Sequence, residues 1–139
     1  MKRSAVYGTA IVLAHLVVNI AHGSAHRELG VGLSPLGSIF VIVVVLVLPL
    51  VAMVLLWTMR KRLGLILLAF SMGGAFLFGL YHHFLIAGPD HIHAQPSGGW
   101  GSTFVLTSYL LLITEALGTY VGIYFLRSMN GDSSTSVKP

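Results

Sequence analysis

The sequence predicts an all-α integral membrane protein: a four-transmembrane-helix bundle with N and C termini cytoplasmic. Three observations carry this expectation. Only 9% of the 139 residues are charged and 55% are hydrophobic, with a mean hydropathy of +0.87, whereas soluble domains average roughly 25% charged residues. Four apolar stretches cover about residues 5–26, 36–59, 63–86 and 103–126, and about 20 helical residues cross a hydrocarbon layer of roughly 30 Å. Basic residues fall on one side of such a bundle. Lys2 and Arg3 precede the first span, Arg60, Lys61 and Arg62 join the second to the third, and Arg127 and Lys138 follow the fourth; Arg27 alone lies on the other side. That asymmetry is the positive-inside pattern. It reads the net charge of +4 as topology rather than nucleic-acid binding. The partner is the lipid bilayer of a bacterial or archaeal cytoplasmic membrane, with a homo-oligomer or larger membrane complex left open. Residues 1–127 form one domain, and the polar stretch 128–139, rich in Ser, Gly and Asn, is expected to be a disordered tail.

The first span opens with Met-Lys-Arg and has small residues at Gly23–Ala25, as a signal peptide would. His15 and Asn19 inside the run argue for a retained span instead. His15, Asn19, His22 and His26 follow at steps of four, three and four, within an arc of about 60° on one helix face. Ionisable residues inside a bilayer face the bundle interior and mark a functional site by default. In the second span, Pro49 removes a helical hydrogen bond and predicts a kink. The third carries Ser71, Ala75 and Gly79 at four-residue spacing, and the fourth carries Gly118-x-x-x-Gly122; small residues at this period let helix backbones approach. Tyr7, Trp57 and Tyr124 mark one predicted interface, and Tyr81 and Trp100 the other.

Six histidines gather near the outer face: His22, His26, His82, His83, His91 and His93. At 1.5 Å rise per residue, His22 sits about 10 Å above the midplane, with His82 at a similar height. His82 and His83 point about 100° apart, so one of them faces the bundle; depth selects His82. The loop Gly88-Pro89-Asp90-His91-Ile92-His93 can fold over the top and add Asp90, His91 or His93. The expected metal ligands are therefore His22, His26 and His82, with His83, Asp90, His91 and His93 as additions. Deeper, His15 and Glu115 fall at similar depth and can pair, either as a structural hydrogen bond or as a proton relay; Glu115 is the only acidic residue within a span.

With no cysteine, thiolate sites, disulfides and covalent c-type haem are excluded. Imidazole ligands suit copper, zinc or iron. Three histidines with an open fourth position are a catalytic zinc pattern, and four closed ligands a structural one. Copper has the Irving–Williams advantage at nitrogen sites. Two alternatives stand beside a transition-metal site. One is haem b held by His22 and His82, with Gly74 and Ala75 leaving room for the macrocycle. The other is an accessory or scaffolding subunit of a larger membrane complex.

The His-x-x-x-His and His-His elements are similar to the histidine boxes of membrane desaturases and hydroxylases, which hold two irons. Those enzymes carry three boxes, two of them His-x-x-His-His, in a larger chain. Here the second pair is bare, the third is His-x-His, and the predicted site faces outward. The four-helix layout also resembles small membrane cytochromes b, in architecture alone. Neither resemblance assigns a family.

Overall fold

In the computed structural model, which describes residues 2–134, the chain is helical and contains no strand among those residues. Four helices are long and apolar enough to cross a membrane. We label them α1 (Lys2–Leu29), α2 (Pro35–Leu56), α3 (Lys61–Leu85) and α4 (Gly99–Ser134). They run alternately up and down. α4 packs against both α1 and α3, α2 packs against α3, and α1 meets α2 less closely than these. The N-terminus of α1, the α2–α3 turn with Arg60, Lys61 and Arg62, and Arg127 share one end, here the basic end. The α1–α2 and α3–α4 connections lie at the other, the histidine end.

Local chemistry explains each boundary. Gly30, at φ 65°, ends α1 in a Schellman arrangement: Val31 N–H bonds His26 O at 3.0 Å and Gly30 N–H bonds Arg27 O at 3.2 Å. Ser34 caps α2 by accepting from Gly37 N–H, and Pro35 occupies its first turn. Inside α2, residues Val41–Val47 form a π-helical turn, and Leu48 N–H bonds Val43 O. Pro49 follows at once, fully buried. A proline ring clashes with the carbonyl four residues back, and here the ladder is relaid as a wide turn. α3 ends in a second π turn, Tyr81–Leu85, where Ile86 N–H reaches Tyr81 O.

The helix expected to end at 126 continues to Ser134. No proline interrupts its hydrogen-bond ladder there, and compositional preference for a tail is a weak constraint against continuing an established helix. The remainder of the expected tail, 135–139, lies outside the described residues.

Apolar side chains cover the outside, and a set of polar side chains is buried within. Val17, Ile20, Phe70, Leu77, Leu85 and Leu106 are exposed, while His15, His22, Ser71, His83, Ser108 and Glu115 are buried. The inward line of α4 runs Gly101, Phe104, Ser108, Leu111, Glu115, Gly118, Gly122 at alternating steps of three and four, the helical period. Gly118 and Gly122 serve packing within the chain. A Cβ on Gly122 would sit 2.9 Å from Ala69 N, and one on Gly118 would sit 2.7 Å from Met72 Cε, so α3 and α4 meet backbone to backbone. Toward the basic end, Val12, Ala52, Leu56, Leu65, Leu68 and Met72 form the main apolar core.

This contact is testable by thermal unfolding in detergent. Gly122→Ala is expected to destabilise by about 1–3 kcal/mol through overpacking. Gly73→Ala, whose methyl would meet Thr119 at an ordinary 3.6 Å, is expected to be neutral or stabilising.

Candidate metal centre

Three imidazoles converge at the histidine end: His22 and His26 from α1, and His83 from the π turn of α3. His26 Nε2 lies 3.1 Å from His22 Nε2, and His22 Nε2 lies 3.2 Å from His83 Nε2. His22 and His83 are buried, and His26 is half-buried. Phe104 closes the floor, with its ring centroid 4.8 Å from those of His22 and His26 and 5.3 Å from that of His83.

The far side of each ring fixes its tautomer. His26 Nδ1 lies 2.9 Å from Val31 O, and His83 Nδ1 lies 2.9 Å from Asp90 O. A carbonyl only accepts, so both nitrogens carry their proton. His22 Nδ1 lies 2.9 Å from Thr107 Oγ1. That hydroxyl donates its single hydrogen to Thr103 O at 2.7 Å or Phe104 O at 3.0 Å, so it accepts from His22. All three neutral rings therefore turn bare Nε2 lone pairs toward one another. Lone pairs this close repel, and a single proton could bridge only one pair. A metal ion relieves both contacts at once. Nitrogens bound tetrahedrally at about 2.0–2.1 Å would lie roughly 3.3 Å apart, close to the separations observed.

Asp90 supplies negative charge at the same point. Its Oδ1 is 3.3 Å from His26 Nε2 and 3.4 Å from His83 Nδ1. The His83 proton points at the Asp90 backbone carbonyl at the shorter distance, so the 3.4 Å approach is an electrostatic contact. Both carboxylate oxygens are buried without a hydrogen-bond partner. Burial pushes the Asp90 carboxyl pKa up, but its contact with His83 and the neighbouring imidazoles of His26 and His22 hold it below the usual value. An anionic carboxylate against a bare imidazole nitrogen is a second sign of a cation site.

The expected ligand His82 is elsewhere: its ring packs on Phe78 at 4.4 Å and on Tyr81 at 5.1 Å. The correction to His83 has a geometric cause. In a uniform helix at about 100° per residue, His82 falls roughly 20° from Ser71 and His83 roughly 120° from it. Those are opposite edges of the α3 face buried by Gly64, Leu65, Leu68, Ser71, Met72 and Ala75. The π turn over Tyr81–Leu85 advances less per residue, which returns His83 to the centre and turns His82 out. The haem b arrangement loses its ligand pair in the same way, since His22 faces His83 at 3.2 Å with no space between them for a macrocycle.

His91 and His93 do not join the trio. They flank Ile92, which is buried with Ala25 and Phe104, and backbone neighbours of an inward side chain point away from it. His91 Nε2 donates to Phe84 O at 3.2 Å, and its Nδ1 accepts from His93 N–H at 3.2 Å. Gln95 Nε2 ties the loop together by donating to Pro89 O at 2.7 Å and His91 O at 3.0 Å. Deeper in the bundle, His15 Nε2 lies 3.2 Å from Glu115 Oε1, and Asn19 Nδ2 lies 2.9 Å from His15 Nε2 and 3.1 Å from His15 O. Sequence reasoning missed Phe104, Thr107, Val31 and Ile92. Phe104 was within reach, because it continues the three-four repeat of Glu115, Gly118 and Gly122.

A cavity of about 260 Å³ adjoins the trio. Val41, Val45 and Leu46 of the α2 π turn form one wall and Phe78 and Leu111 another, with Asn19 and Glu115 on its polar lining. No family model, curated protein or solved structure matches this chain.

Thr107→Val keeps the side-chain shape but removes the acceptor for His22 Nδ1–H. It is expected to destabilise by about 1–3 kcal/mol, the cost of a buried unpaired donor, whereas Thr107→Ser restores stability; thermal unfolding compares the two.

Proposed function

We propose that this chain is a multi-pass membrane protein that holds one divalent first-row transition metal at its extracytoplasmic side, bound by the Nε2 atoms of His22, His26 and His83. The observation that carries this reading is the convergence of three tautomer-fixed lone pairs beside the unpartnered carboxylate of Asp90. Metal-bound histidines commonly donate their other ring nitrogen to a carbonyl, carboxylate or water, and two of these three donate to carbonyls. Asp90 completes the set as a fourth ligand or as acceptor for a metal-bound water. Cysteine-free nitrogen and oxygen donors favour copper, zinc or iron. Such a centre serves metal handling or redox chemistry. Ready exchange of the ion with a chelator would mark handling, and a copper or iron ion that survives purification and cycles between oxidation states would mark redox use.

The apolar outer surface of all four helices supports membrane placement, and the basic residues at one end support a trio on the outer side. The absence of cysteine makes the topology testable. Ser97→Cys is expected to react with an impermeant maleimide added to intact cells, and Thr58→Cys only after lysis. The reverse pattern would overturn the orientation.

Metal analysis of protein purified in detergent tests the centre. One equivalent of metal per chain is expected. His83→Ala is expected to abolish stoichiometric binding, His82→Ala and His93→Ala to leave it unchanged, and Asp90→Asn to weaken it by about 10–100-fold. Metal-free protein that co-purifies with fixed partners would favour an accessory subunit instead.

A further inference from the structure

Hydrogen-bond acceptors dominate the polar lining of the cavity beside the trio. The Nδ1 protons of His22, His26 and His83 are directed away, to Thr107, Val31 and Asp90. Asn19 Nδ2 donates to His15 O, and Ser38 Oγ donates to Ser34 O. What remains facing the space is three imidazole lone pairs, the carboxylate of Asp90 and, on the side of His15, Glu115. Glu115 is 2% exposed. Its Oε1 meets His15, while Oε2 is buried without a hydrogen-bond partner. Buried acceptors of this kind have partners in nearly all folded proteins, so this one points to a donor absent from the chain itself.

The separation between Glu115 and the trio is short. A Cβ placed on Gly79 would lie 3.8 Å from Glu115 Oε2 and 3.9 Å from His83 Cδ2, so those two atoms are no further apart than the sum of these distances. Gly79 leaves the gap between them open. The rest of the wall is aliphatic or aromatic, which rejects charge and accepts a small, largely apolar body.

We propose that this cavity is a binding chamber for a small uncharged molecule with a lone pair at one end and an N–H at the other, such as an N–H azole. The lone pair completes the metal's coordination, and the donor satisfies Glu115 Oε2. The proposal rests on the metal-centre reading and names the ligand class of that site. It makes Glu115 a ligand-positioning residue and Gly79 the residue that keeps the chamber open.

Imidazole and 1-methylimidazole form a matched pair of probes, because both ligate through the unsubstituted nitrogen and only imidazole has an N–H on its far side. 4-Methylimidazole, which retains an N–H, controls for size. The experiment titrates each into protein loaded with Co2+ and follows the visible ligand-field bands. Imidazole and 4-methylimidazole are expected to bind at least about tenfold tighter than 1-methylimidazole, an increment in the range of one buried hydrogen bond. Glu115→Leu is expected to remove the preference. Gly79→Val, which places its side chain between Glu115 and His83, is expected to do the same with metal content unchanged, and it supplies the answer if the Glu115 variant does not fold. Gly79→Ala, whose methyl makes only ordinary contacts, should give an intermediate loss. Equal affinity for the three probes in the Co2+-loaded protein, or a preference that survives Gly79→Val, would overturn the chamber while leaving the metal centre standing. Failure to bind Co2+ would overturn both.

Discussion

The outward pull on three Nδ1 protons organises the histidine end of this molecule. Imidazole has two nitrogens, and neutral rings must donate from one and accept at the other. By placing acceptors behind His22, His26 and His83, the fold leaves the inner nitrogens no choice but to face one another as bases. Those acceptors come from three different places: the α1 terminus at Val31, the α3–α4 loop at Asp90, and α4 at Thr107. The Schellman turn at Gly30 and the burial of Ile92 both serve this arrangement, the first by fixing the course of the chain at Val31 and the second by seating the loop that carries Asp90.

The four long apolar helices and the polar face of α1 were legible in the sequence because both depend on local period and composition. The pairing of His15 with Glu115 was legible for a related reason, since helix rise converts position into depth. The choice between His82 and His83 was not. Depth barely separates adjacent residues, and their angles differ only if the helix is known to be regular. The π turn at Tyr81–Leu85 shifts the phase by part of a residue, and no residue there announces it as Pro49 announces the irregularity in α2. The loop was unreadable in detail for another reason. Three polar residues, Asp90, His91 and His93, surround a single Ile92, and the apolar one determines which of the others turn inward.

The two π turns frame one region. Val41, Val45 and Leu46 from the first and His83 from the second face the same cavity. Single π turns are often found at functional sites, because an extra residue widens the helix locally and re-aims a side chain without breaking the element. Here one of them aims a candidate ligand and the other shapes the opposite wall. In a fold made almost wholly of regular helix, these irregular turns supply the local departures from cylinder packing that a cavity requires.

The bond from His22 to Thr107 joins residues 85 positions apart, and the contact from His22 to His83 joins residues 61 apart. α1 alone can place His22 and His26 side by side, but it cannot decide which nitrogen of His22 is basic. That is settled for His22 only when α4, which follows the other three helices in the chain, has packed into place. A chain stopped after three helices would carry His22 without the acceptor that orients it. The site is therefore a late product of assembly, and its competence reports that the fourth helix has arrived.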